Sequence, residues 1–93
     1  MNYEWLYDDT RLIIYDWWMI SNLYMTYIGD RHYLPHEEHD KFIEIMKEDN
    51  ITAVQVHGTT RYFNGVNRHN YWVLSFNSSK QATLFKLKYG QCL

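Results

Sequence analysis

The sequence predicts an α+β fold, a small antiparallel sheet with two or three helices packed on one face. Three observations predict it. Tyr71-Trp72-Val73-Leu74-Ser75-Phe76 is an aromatic and β-branched run of strand character. A helix opener follows it at once, in Asn77-Ser78-Ser79-Lys80-Gln81. Upstream, an acidic segment with helical apolar spacing runs directly into a second stretch of β-formers. Ninety-three residues, 46% hydrophobic and 22% charged, have the composition of one globular domain, 1–93, rather than a disordered chain.

Taken in order, the first third fits two patterns. Trp5-Leu6-Tyr7, Asp8-Asp9 and Leu12-Ile13-Ile14-Tyr15 read as a hairpin. Ile13, Trp17, Ile20, Tyr24 and Tyr27 instead have the 4-3-4-3 spacing of a helix face. The segment lacks Ala, Glu and Lys, and its Ile and aromatic content favours strands, so residues 10–28 stay open between helix and strand.

A helix is expected from about Pro35 to Asp49. Proline suits its first turn, Glu37, Glu38 and Asp40 suit the positive end of its dipole, Phe42, Ile45 and Met46 form its inward stripe, and Asn50 stops it. Ile51 to Phe63 should be a strand broken or bulged near Gly58. Asn64-Gly65 signals a turn, with the next strand expected only from about Asn70 and hence a long hairpin loop. In the final helix Ser78 caps the Gln81 amide while the Gln81 side chain reaches back, as in a capping box. Ala82, Phe85 and Tyr89 share its inward face, flanked by Leu84, and Gly90 supplies the C′ position.

Charge is distributed unevenly. All eleven acidic side chains lie between Glu4 and Asp49. Against four bases they give residues 1–50 a net −7, while five bases and no acid give residues 51–93 a net +5. Either the halves attract each other within one fold, or one of them presents a charged face to a partner.

Chemistry is mostly excluded. His36-Glu37-Glu38-His39-Asp40 spaces its histidines by three, where a helical zinc-protease motif requires four. His36 and His39 are the candidate metal ligands, but an acidic solvated helix turn explains them, and no metal or cofactor is expected. Glu44 and Glu48 form an exposed i, i+4 pair. His57-Gly58-Thr59-Thr60-Arg61 combines a base, hydroxyls and a cation, yet residues 51–93 hold no carboxylate side chain to orient them. The single cysteine, Cys92, forms no internal disulfide. The N-terminus lacks the basic start and apolar run of a secretory leader, and Leu12 to Ile28 is too polar for a membrane span. A cytoplasmic, non-membrane setting is expected.

The stretch from Phe76 through Ala82, Phe85, Lys86 and Leu87 to Gly90 resembles the ending of small uncharacterised proteins of large tailed bacteriophages. That resemblance covers roughly the last fifth of the chain. It implies a small viral accessory protein, made in the host cytoplasm, that binds a host or viral macromolecule. It implies no catalytic residues.

Two functions follow as expectations. The first is a non-enzymatic module acting through protein–protein contact, with a foreign partner or as a homodimer. Trp5, Tyr7, Trp17, Trp18 and Tyr24 would form the contact, with Glu37, Glu38 and Glu44 as its charged rim. Nine of the seventeen aromatic residues lie in residues 3–33, more rings than so small a core should need. The alternative is a single-stranded nucleic-acid binder using Arg61, Arg68, Tyr71 and Trp72.

Overall fold

Residues 10–28 are strand and helix in succession. The computed structural model describes residues 2–6, 9–28 and 39–90, with the side chains of Tyr27, Ile28 and His39 left aside. Strands β1 (Tyr3–Leu6) and β2 (Arg11–Ile14) form the first hairpin, and helix α1 (Trp17–Ile28) follows after two residues. Asp16 makes the switch. Its carboxylate Oδ1 accepts the Trp18 amide at 2.9 Å, and its carbonyl accepts the Met19 amide at 3.1 Å. The aspartate that interrupts the apolar run is thus the helix N-cap.

Helix α2 (His39–Glu48) is the described part of the acidic helix. Its end is a Schellman arrangement: Asn50 takes φ 60°, its amide donates to the Lys47 carbonyl, and the Ile51 amide donates to the Met46 carbonyl. Strands β3 (Thr52–Phe63) and β4 (Val66–Ser75) then form one long hairpin. The expected long loop is not there. Asn64 (φ 50°) and Gly65 (φ 78°) alone make the turn, as a two-residue left-handed connection requires, so β4 begins at Val66 and not near Asn70. The irregularity near Gly58 is present, as a register shift between His57 and Arg61.

Helix α3 (Ser79–Tyr89) is capped by the Ser78 hydroxyl, which accepts the Gln81 amide at 3.1 Å. The Gln81 side chain reaches one residue further back than a capping box does: Oε1 accepts the Asn77 amide at 2.6 Å, while Nε2 donates to the Asp49 carbonyl. Gly90 is right-handed (φ −57°), so the expected left-handed C′ residue is not realised.

The sheet order is β1-β2-β4-β3, every neighbouring pair antiparallel. All three helices share one core with the same side of the sheet. Leu12 and Ile14 of β2, Trp72 and Leu74 of β4 and Ala53 of β3 meet Ile20 and Leu23 of α1, Phe42 and Met46 of α2, and Phe85 of α3. The opposite side carries its own cluster, in which Ile13, Tyr15 and Tyr71 are buried among Leu6, Val56, Phe63 and Val73. Strand β2 is therefore covered on both faces. That is why Leu12-Ile13-Ile14-Tyr15 is apolar throughout where a half-buried strand would alternate.

Candidate functional site

Pairing of β2, β4 and β3 aligns side chains in rows across the sheet. Ile14, Trp72 and Gln55 lie opposite one another in one row. Two residues further along β4 and β3 come Asn70 and His57, paired with each other and on the same side because strand side chains alternate with period two, and Asp16, just past the end of β2, joins them in the cleft. The His57 Nδ1 and Asn70 Oδ1 atoms are 3.1 Å apart. With Trp17, at the start of α1, as a side wall, these two rows enclose an open cleft of about 290 Å³, to which Tyr15 and Tyr71 also contribute.

Polar groups converge here on an apolar floor. Asp16 Oδ2 accepts from Asn2 Nδ2 at 3.2 Å, and Oδ1 is occupied by the α1 cap. Among the described residues Asp16 is the one acidic residue lining the cleft, and no Lys, Arg, Ser, Thr or Cys lines it. The second half lacks carboxylates, but the fold brings one from the first half into the same cleft as His57. Sequence reasoning missed Asp16, Gln55 and Asn70 because only the register places them together.

The expected contact residues are dispersed. Trp5 packs on Phe76 and Phe85, with Lys86 Nζ 4.4 Å from its ring centroid. Trp17 and Tyr24 are half-buried against the core. Among the described residues of this set Trp18 alone is open, 57% exposed. Glu44 is exposed on α2 in a stripe with Asp40 and Glu48. Helix α2 lies over β3 and α1 over β2, with β4 between those strands, so Glu44 does not rim Trp18. Tyr7, Glu37, Glu38 and His36 fall outside the described residues, as does the His39 side chain. Among the described residues no cluster of three His, Cys, Asp or Glu could hold a metal ion.

The nucleic-acid set does not form a stacking surface. Tyr71 (7% exposed) and Trp72 (3%) are core residues on opposite faces of the sheet. Arg61 Nη2 donates to Glu4 Oε1 at 2.8 Å, and its Nε donates to the Tyr15 hydroxyl at 3.0 Å. Arg68 donates to Asn2 Oδ1 at 3.3 Å and lies over the Tyr15 ring. These contacts move the local ionisations. Burial pushes the Glu4 carboxyl up, but hydrogen bonds from Tyr15 and Arg61 and the Arg61 charge outweigh it and leave Glu4 below its usual range. Burial, followed by the hydrogen bond to Glu4, raises Tyr15. Hydrogen bonds to Tyr15 and then Glu4 hold Arg61 more firmly protonated.

Two acids of the first half meet bases of the second within the molecule. Glu4 pairs with Arg61, and Asp9 pairs with Lys86 at 2.7 Å. In each pair an acid of the first half meets a base of the second. Among the described residues no helix is long and apolar enough to cross a membrane. No protein family, curated protein or solved structure matches the chain.

Proposed function

We propose that this chain is a non-enzymatic binding module acting through protein–protein contact, with the outward stripe of α1 as its anchor. The observation that carries this reading is the composition of α1. Its twelve residues, Trp-Trp-Met-Ile-Ser-Asn-Leu-Tyr-Met-Thr-Tyr-Ile, include no Asp, Glu, Lys, Arg or His, yet Trp18 stands 57% exposed in its first turn. A helix without a charged face belongs under cover. An accessible tryptophan is the residue type that most often anchors a protein contact. Helix α3 also exposes apolar groups, Leu84 and Leu87, but three lysines interrupt it and keep its outer side solvated.

The resemblance of residues 76–90 to phage proteins supports a viral accessory role in a host cytoplasm, the partner being a host or viral protein or a second copy. Light scattering at low and high salt, with wild type and Trp18→Ser, tests the self-association arm. Immobilised wild type and Trp18→Ser, challenged with bacterial extract, test the foreign arm. The expected result is a dimer or a retained protein that Trp18→Ser loses, its circular dichroism unchanged. A Trp18→Ser protein with the same mass and the same retained proteins as wild type would overturn the reading.

A further inference from the structure

Strand β3 ends the sheet on one side, and its outer rim is open. We propose that this rim joins two copies of the chain, β3 pairing antiparallel with β3 of a second copy about a two-fold axis at Gln55. The inference goes beyond the α1 reading and does not rest on it.

Backbone direction decides which groups are open. The Phe76 amide donates to the Thr10 carbonyl, so Trp72 and Leu74, in phase with Phe76, turn their backbone groups toward β2. Tyr71, Val73 and Ser75 then serve Val56, Val54 and Thr52 of β3. Between these, Ala53, Gln55 and His57 direct N–H and C=O away from the sheet. Among the described residues no backbone hydrogen bond meets them there.

Sheet edges are ordinarily guarded by brevity, charge or proline. At the other edge β1 has four residues and bears Glu4. Strand β3 has twelve, and from Thr52 to Thr60 it carries no Pro, Lys, Arg, Asp or Glu. Such a rim is a template for another strand, and its side chains favour its own copy. In a symmetric pair a charged residue would meet its like, and this segment has none. The irregularity after His57 limits straight pairing on one side and the turn at Ile51 on the other, so Gln55 is the midpoint. The two-fold then sets Gln55 opposite itself, with the two amides able to bond each other, and Ala53 opposite His57 of the second copy. Each of these pairs exchanges both backbone bonds. Val54, 49% exposed, comes to lie opposite Val56 of the second copy, which prolongs the reverse-face cluster of Val56 and Val73 across the joint. Helix α2 leaves room, because Phe42 packs on Trp72 at 5.2 Å and draws the helix inward over β4.

Light scattering of the full chain over a range of concentrations tests this, with circular dichroism to confirm folding. Wild type is expected to reach twice the mass of one chain. Gln55→Pro removes only an outward N–H, so the ladder to β4 stays intact, and it should weaken the dimer about tenfold or more. Val54→Lys places a charge against its own copy without touching the core and should act likewise. Trp18→Ser should leave this dimer unchanged. In a Cys92→Ser background, Gln55→Cys should cross-link on oxidation. Val54→Cys should not, since its two sulfurs would start from Cα atoms more than about 7 Å apart. A wild type monomeric throughout, a dimer equally tight in folded Gln55→Pro and Val54→Lys, or failure of Gln55→Cys to cross-link would overturn the proposal. Loss of the dimer in Trp18→Ser alone would also overturn it, by assigning self-association to α1. Failure of the rim and failure of the α1 reading are thus told apart by which variant dissociates.

Discussion

Removing the Arg61 guanidinium should separate what the two halves of the chain contribute to each other. Arg61→Met keeps most of the aliphatic stem and deletes the charged head. The structure then loses a 2.8 Å bond to Glu4 and a 3.0 Å bond to the Tyr15 hydroxyl, while the bond from Tyr15 to Glu4 remains. A hydrogen bond to a charged group contributes about 1.5–3 kcal/mol when buried. Here the Arg61 and Glu4 side chains are 35% and 26% exposed, and an exposed ion pair contributes only about 0–1 kcal/mol. A loss of about 1–2 kcal/mol lies between these limits. For a domain of this size that lowers Tm by about 5–15 °C.

The assay is a double-mutant cycle of Arg61→Met, Glu4→Gln and the pair, by urea unfolding followed through tryptophan fluorescence. Glutamine still accepts from Tyr15, so the cycle isolates the term between Arg61 and Glu4. A coupling of about 1 kcal/mol, shrinking in high salt, is expected. A coupling below about 0.3 kcal/mol would refute the reasoning. The ion pair would then be incidental, and the opposed charges of the two halves would be available for contact between molecules.

Three further outcomes follow from single positions. Glu4 sits below its ordinary value in the folded state, so its contribution is present above the unfolded carboxyl range, near 4.5, and is lost as pH falls through the folded value. Urea midpoints should accordingly decline less steeply in acid for Glu4→Gln than for wild type. Ser21 is fully buried in α1 and its hydroxyl has no hydrogen-bond partner among the described residues. Ser21→Ala should stabilise by about 0.5–1.5 kcal/mol, combining helix propensity with removal of the unsatisfied group, and a lowered Tm would contradict that. At Gly65 an added Cβ would meet only the Tyr62 hydroxyl, at 3.9 Å, so the cost of Gly65→Ala lies in the backbone at φ 78°. That should destabilise by about 1–2 kcal/mol, read from the same unfolding curves.

Local signals in the sequence were enough wherever neighbouring residues determine the structure. Ser78, Asn50 and the aromatic, β-branched run Tyr71 to Phe76 each act within a few residues: Ser78 caps α3, Asn50 ends α2, and Tyr71 to Ser75 lie in β4. The distal half of the β3–β4 hairpin was not legible. Val66-Asn-Arg-His-Asn looks like loop because it is polar, but its side chains are mostly exposed and so need no apolar pattern. Its pairing is held by the Asn64-Gly65 turn. Residues 10–28 were ambiguous because Ile13, counted into a helical stripe, belongs to the reverse face of β2. The cleft was less legible still. Asp16, Asn70 and His57 come from three elements, and nothing short of the strand register brings them together.

That register also changes what the aromatic excess means. An abundance of Trp and Tyr in so short a chain looks like an interface when one core is assumed. Apolar side chains cluster on both faces of the sheet, and both clusters take rings. Phe42, Trp72, Phe76 and Phe85 fill the helix side with edge contacts of 5.0–5.2 Å. On the other side Tyr15 stacks on Phe63 at 4.5 Å and meets Tyr71 at 5.7 Å. Most described rings are thereby engaged in packing, with Trp18 and Tyr62 the exposed ones among them. The number of aromatics therefore carries no weight for a partner. What carries it is position: an exposed tryptophan on a helix with no charged residue.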